Sequence, residues 1–164
     1  MTKVAIMRTG VKAGLLVLAL GLAGPANAAM SPFRMLAGSW TGGGVISLSN
    51  GEQERLRCRA SYDVDGSGEQ LRLNIRCASD SYNIDLSSDV AYRGGEISGQ
   101  WSEASRNASG TLAGRATGDH IEAEARGQSF SAGLSMTTRG KRQTISIRPQ
   151  GTDIRGVSLA LERR

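Results

Sequence analysis

Few residues of this chain have the types and spacing that catalysis or metal binding requires. The only histidine, His120, alternates with Glu122 and Glu124 on the polar side of a run and is expected to be a solvated surface residue. With both cysteines committed to a disulfide, no Cys/His set remains for a metal. No serine has a nucleophile-elbow motif, and the glycine run 42–44 lacks the Lys-Ser/Thr of a phosphate loop. The chain is therefore predicted to be neither a conventional enzyme nor a metalloprotein.

The two cysteines have the spacing of a cross-strand bridge. Cys58 and Cys77 are the only cysteines, and an even number in an exported chain predicts one disulfide. If they face each other across an antiparallel hairpin, Asp65 faces Gln70 and residues 66–69 form a four-residue loop, a common length. Directly opposed residues have Cα atoms about 4.5–5.5 Å apart, which a disulfide tolerates. Two buried free thiols are the alternative.

The polar face of this hairpin carries a cluster of arginines. Its members are Arg57, Arg59, Arg72 and Arg76. The cysteine register places Arg59 directly opposite Arg76, and like charges in that position destabilise a sheet. One interpretation is a solvated surface partly relieved by Asp63 and Asp80; the other is an anion-binding patch for an acidic polysaccharide, a lipid headgroup or a protein. Nucleic acid is not expected, because no aromatic residues interleave with this face.

Apolar and polar residues alternate along most of the chain, which predicts β-strands. Clear alternation covers residues 55–64, 71–77, 130–136, 144–148 and 157–162, and turn signals such as Asn50-Gly51, Gly94-Gly95, Gly118-Asp119 and Arg139-Gly140 separate the runs. Only Ser31 to Ala37 resembles a short helical turn, started by a proline. The predicted fold is all-β, an antiparallel up-and-down β-barrel of about 8–10 strands with a short N-terminal helical turn.

Residues 1–28 have the features of a cleavable signal peptide. A positive segment is followed by the apolar run 13–22, which is too short to span a bilayer, and by the small residues Ala26-Asn27-Ala28. The expected mature domain is residues 29–164, periplasmic or secreted, with no transmembrane segment after processing. Three of the 20 Lys and Arg residues and none of the 15 Asp and Glu residues lie in the signal, which leaves a mature net charge of only +2. Any electrostatic attraction must therefore be local.

The segment Gly38-Ser39-Trp40-Thr41-Gly42-Gly43-Gly44 resembles the start of lipocalin, fatty-acid-binding and nitrobindin-like barrels, together the calycin group. That resemblance implies a barrel that binds a small apolar ligand in its interior. It also implies that Trp40 closes the barrel floor and that an arginine of the last strand, Arg163 or Arg164, stacks on it. The second lipocalin motif is not visible, and no C-terminal histidine is present to hold haem as in nitrobindins. No haem or other cofactor is predicted.

A second resemblance covers the first half of the chain. Leu36-Ala37-Gly38-Ser39-Trp40 and the following cysteine pair are similar to small periplasmic barrels that inhibit metalloproteases. The resemblance implies that Ala29 to Phe33 would enter a protease cleft. This chain is longer than those barrels by several strands.

The sequence favours a monomeric, non-enzymatic binding protein whose interior is lined by aliphatic side chains, with Trp40, Trp101 and Phe130 as its large groups at the floor or ligand site. Such an interior predicts a small apolar ligand. The alternative is a surface-recognition protein, either a periplasmic protease inhibitor or a binder of an anionic envelope component through the arginine cluster.

Overall fold

Ten antiparallel strands form a closed barrel in the computed structural model, which describes residues 30–164. The strands are β1 (Gly38–Leu48), β2 (Gln53–Val64), β3 (Gln70–Ala78), β4 (Asn83–Arg93), β5 (Glu96–Glu103), β6 (Ala108–Thr117), β7 (His120–Arg126), β8 (Ser131–Arg139), β9 (Arg142–Gln150) and β10 (Ile154–Arg163). The predicted fold class is confirmed. The predicted signal peptide lies outside the described residues. None of the described residues forms a helix long and apolar enough to cross a membrane.

Each strand pairs with its neighbours in the sequence, and β10 returns to pair with β1. The closing pairs run from Trp40 opposite Arg163 to Leu48 opposite Ile154, with one bulge near the end of β1. Closure satisfies the backbone groups that an open sheet would expose at its two edges. It also divides every strand into an inward face and an outward face.

Strand β2 illustrates how the alternating pattern becomes a core. Leu56, Cys58, Ala60 and Tyr62 point inward and are buried, whereas the residues between them face solvent or are only half-buried. Cys58 faces Cys77 on β3 with a Cα–Cα distance of 4.1 Å, and the two form a disulfide. The predicted bridge and register are confirmed, and no cysteine of the described chain is free.

One end of the barrel, here called the floor, is covered by the 3₁₀ turn Pro32–Met35. Phe33 and the following Leu36 are almost fully buried beneath the strands. Arg34 fastens this turn to the β2–β3 loop by donating to the carbonyl oxygens of Gly66 and Ser67, at 2.9 and 2.8 Å. The opposite end, here called the mouth, carries the β5–β6 and β7–β8 loops.

Five inward positions have no side chain: Gly42, Gly44, Gly99, Gly110 and Gly114. A Cβ atom at any of them would lie 1.8–2.1 Å from a carbonyl oxygen of the neighbouring strand. The close backbone approach therefore requires glycine there. A further consequence is that these five positions contribute no side-chain volume to the barrel interior.

Candidate functional site

Trp40 and Arg163 close the floor from the first and last strands. Trp40 is fully buried, and its indole N–H donates to the carbonyl oxygen of Leu36 at 2.7 Å. The guanidinium carbon of Arg163 lies 4.8 Å from the centre of the Trp40 ring, and Arg163 also donates to the carbonyl oxygen of Met35. Arg164 points outward to the Thr41 hydroxyl instead. Of the two arginines left open by the sequence, Arg163 is the one that stacks on Trp40.

A short chain of buried polar groups crosses the interior just above the floor. The Tyr62 hydroxyl donates to Oε1 of Gln143 at 2.7 Å, and the Gln143 amide donates to the Thr138 hydroxyl at 3.1 Å. Burial raises the pKa of Tyr62, so the phenol stays protonated and can donate. Sequence reasoning missed this group. The sequence feature that could have indicated it is Gln143, a polar residue on the same face of its strand as Ile145 and Ile147.

Above this level, six inward-facing apolar residues are only half-buried, and they are called the interior band: Leu73, Leu86, Leu112, Ala123, Leu134 and Ile147. Ala123, Leu134 and Ile147 are direct neighbours across β7, β8 and β9. An inward side chain in a closed barrel can retain exposed surface only where the interior is not filled beside it. The interior band is therefore apolar surface that the other side chains of the interior leave partly uncovered.

Trp101 and Phe130 lie at the mouth, so the two tryptophans occupy opposite ends of the barrel. Their rings are 5.4 Å apart, and the Trp101 indole donates to the carbonyl oxygen of Thr111 at 3.1 Å. Trp101 is buried on β5, as expected of an interior group. Phe130, expected at the start of a strand, lies instead in the loop before β8, because Gly127 N–H bonds back to the Phe130 carbonyl oxygen and turns the chain there.

Glu103 also faces inward, at the rim of the mouth, and is buried. Its carboxylate accepts hydrogen bonds from the backbone N–H groups of Asp85, Ser105 and Arg106, at 2.9, 3.1 and 2.9 Å. Burial acts to raise the pKa of Glu103, but these three donors outweigh it and hold the pKa below its ordinary value. The group is a fixed structural anion that shapes the β5–β6 loop.

The four predicted patch arginines lie on the outer face, and Arg59 is directly opposite Arg76 as expected. Two of the four are paired with β4: Arg72 with Asp89 and Arg76 with Asp85, both at 3.1 Å. The carboxylates that neutralise the cluster are therefore mainly those of β4. Of the two expected from the sequence, Asp63 faces Arg72 in register, and Asp80 lies in the β3–β4 turn without an ion pair among the described residues. Arg57 and Arg59 also form no ion pair within residues 30–164.

His120 is a half-exposed residue of β7. Its Nδ1 lies 3.0 Å from the Thr137 hydroxyl and its Nε2 lies 3.3 Å from a Glu122 oxygen. Among the described residues, no three His, Cys, Asp or Glu side chains converge in a way that could hold a metal.

Part of the segment from Ala29 to Phe33, which a protease inhibitor would insert into a cleft, is packed against this barrel. Pro32 and Phe33 are buried under the floor, whereas Met30 is exposed. Insertion into a cleft would require these two residues to leave the barrel, which disfavours the inhibitor alternative.

Solved structures that resemble this one include the following two. The crystal structure of Rv2717c from M. tuberculosis has 18% sequence identity and a TM-score of 0.65, covering 86% of this chain and 98% of that one. The S-type phycobiliprotein lyase CPES from Guillardia theta has 11% identity and a TM-score of 0.60, covering 80% and 89%. No protein-family model and no curated protein sequence matches the chain. At these identities the likeness concerns the fold alone, a closed antiparallel β-barrel.

Proposed function

We propose that this protein is a non-enzymatic binding protein that holds a small apolar ligand inside the barrel. The observation that carries the proposal is the interior band, whose apolar side chains point inward and remain half-buried. Transfer of such surface from water to a ligand is favourable by roughly 25 cal/mol per Å². A ligand filling this space would therefore gain affinity from the hydrophobic effect.

Barrel size supports space for a ligand. A barrel of about eight strands is just wide enough to be filled by its own side chains or to hold one small ligand, and the diameter grows with strand number. This barrel has ten strands, and glycine occupies five of its inward positions. Ten strands and five positions without side chains both favour space for a ligand in the interior.

The polar groups of the interior favour an apolar ligand over a polar one. Tyr62 and Gln143 bond to each other, and the Ser88 hydroxyl donates to the Gln100 carbonyl oxygen at 2.8 Å. Among the described inward positions, charged residues occur only near the ends: Glu54 and Glu103 at the mouth and Arg163 at the floor. No inward polar group near the interior band is left to recognise a ligand charge.

Filling the interior band with a larger side chain tests the proposal. Ala123→Phe places a ring into the space, and Ser135→Phe on the outward face of β8 is the matched control. A fluorescent fatty-acid analogue should bind the wild type and the control equally, should be displaced by unlabelled fatty acids, and should bind Ala123→Phe at least about tenfold more weakly.

Stability supplies the second readout. An added ring in empty space is tolerated, whereas overpacking of a filled core costs about 1–3 kcal/mol. A wild type that neither binds the probe nor changes its tryptophan emission, together with an Ala123→Phe variant that is strongly destabilised, would show that the barrel is filled and end the proposal.

The proposed place of action is the periplasm or the outside of the cell. The disulfide Cys58–Cys77 indicates a location outside the reducing cytoplasm. Intact mass of the protein recovered from its host should correspond to a chain starting at Ala29. A mass that includes residues 1–28 would contradict this location.

A further inference from the structure

A concavity of about 810 Å³ lies on the outer surface of the barrel, along β1, β2, β3 and the start of β4. It is called the outer groove, and the residues that define it are Thr41, Arg57, Arg59, Ser61, Asn74 and Arg76. Arg57, Arg59, Ser61, Asn74 and Arg76 all occupy outward positions of β2 and β3. The outer groove is therefore separate from the interior band.

Strand register arranges the outer groove in rows across the sheet. Thr41 faces Arg59, Arg59 faces Arg76, and Arg76 faces Asp85. The next row brings Ser39, Ser61 and Asn74 side by side. The row that contains Arg59 and Arg76 thus lies about 7 Å, two residues along each strand, from a row of hydroxyl and amide groups.

The charge balance of the outer groove is positive. Arg76 is paired with Asp85, whereas Arg57 and Arg59 have no ion pair among the described residues. Two guanidinium groups held side by side at Arg59 and Arg76 repel each other, and a bound anion would remove that repulsion. Guanidinium forks also match the geometry of carboxylates and bind them through two parallel hydrogen bonds.

We propose that the outer groove binds a strand of acidic polysaccharide that carries carboxylate groups. Arg57 and Arg59 would pair with the carboxylates, and the row of Ser39, Ser61 and Asn74 would bond the sugar hydroxyls. This site is independent of the proposed apolar ligand in the barrel.

The shape and composition of the outer groove distinguish this partner from other anions. A membrane surface calls for apolar side chains that insert between lipids, and Met30 is the only large hydrophobic residue exposed in the described chain. The concave form suits a narrow strand better than a bilayer. Single-stranded nucleic acid would need aromatic side chains for stacking, and the only aromatic residue of the groove wall is Trp40, which is fully buried.

The experiment measures adsorption of protein produced from the full-length chain to immobilised polygalacturonate, with neutral dextran as the blank. The double variant Arg57→Ala/Arg59→Ala should bind about tenfold more weakly at low salt, equivalent to about 1.4 kcal/mol. The charge-matched control is Arg115→Ala/Arg148→Ala, which removes two outward arginines of β6 and β9 and should stay within twofold of the wild type. Binding by the wild type should weaken as salt rises, because the contacts are exposed.

Removing a negative charge beside the outer groove should have the opposite effect on binding. Asp85→Asn removes the one carboxylate that faces Arg76 across β3 and β4, so it should tighten polygalacturonate binding severalfold. All variants should bind the apolar probe like the wild type, since none changes an inward residue.

Two results would overturn the proposal. Equal polygalacturonate binding by the wild type, the Arg57/Arg59 variant and the Arg115/Arg148 control would show that adsorption follows net charge and not the groove. Binding to phosphatidylglycerol vesicles with none to polygalacturonate would assign the groove to a membrane surface instead.

Discussion

Opening the disulfide should destabilise the barrel by about 3 kcal/mol without changing its fold. Cys58 and Cys77 are 19 positions apart, so the bridge closes a loop of about 20 residues in the unfolded chain. The chain-entropy relation assigns about 3 kcal/mol of unfolding free energy to a loop of that length. For a domain of this size, that loss lowers Tm by roughly 10 °C.

The cleanest comparison is the oxidised wild type against the same chain reduced, because both contain the same heavy atoms and differ only by the two thiol hydrogens. Both cysteines are buried, so Cys→Ser changes would add buried hydroxyl groups and confuse the result. A Cys58→Ala/Cys77→Ala variant serves as a second reference, and it should lose slightly more because two core sulfur atoms are gone.

The assay is urea unfolding followed by tryptophan emission. The reduced chain should unfold at a lower midpoint and with a somewhat larger m-value, because its unfolded state exposes more surface. Amide exchange at Arg59 and Arg76 should stay slow in the reduced native state, since the β2–β3 ladder does not depend on the bridge. If reduction changed the unfolding free energy by less than about 1 kcal/mol, the loop-closure reasoning would fail for this hairpin.

Three further predictions concern the floor, one loop and the glycine positions. Arg163→Met should lower the unfolding free energy by about 2 kcal/mol through loss of the cation–π contact with Trp40 and shift tryptophan emission, and an unchanged urea midpoint would contradict the floor assignment. The pKa of Asp65 is held below its ordinary value of 3.8, first by the hydrogen bond from the Ser67 hydroxyl. Asp65 therefore stabilises the fold above pH 3.8, and this stabilisation is lost as the pH falls through the lower pKa of the folded state. The Asp65→Asn variant should therefore show a flatter decline of the urea midpoint between about pH 5 and pH 2 than the wild type. Gly44→Ala should cost at least about 2 kcal/mol, because its Cβ would lie 1.8 Å from a β10 carbonyl oxygen, whereas Gly133→Ala, with open space around it, should be nearly neutral in thermal unfolding.

The alternation of apolar and polar residues was sufficient to predict the strands, and the cysteine spacing was sufficient to predict one hairpin. A period of two residues places Leu56, Cys58 and Ala60 on one face whatever the strand later contacts, so inward and outward sets followed from the sequence. The cysteine pair then fixed the β2–β3 register, because a four-residue loop and a bridgeable distance permit one alignment. The opposition of Arg59 and Arg76 was a direct consequence of that alignment.

Side-chain partners outside the β2–β3 hairpin could not be assigned from the sequence in this way. Asp85 and Asp89 neutralise Arg76 and Arg72 because the β3–β4 register brings them opposite, and no cysteine pair or short turn marks that register in the sequence. Gln143 is a similar case, because its partner Tyr62 is 81 residues away.

The sequence by itself determined that the chain forms strands, which side chains of each strand face inward, and that Cys58 joins Cys77, because each depends on contacts within one strand or one hairpin. Only the tertiary structure decided that ten strands close by pairing β10 with β1, that Arg163 and not Arg164 stacks on Trp40, and that the interior band stays half-buried. Closure sets the barrel radius and brings β1 and β10 together. Both depend on all ten strands at once, so neither can be read from a local segment.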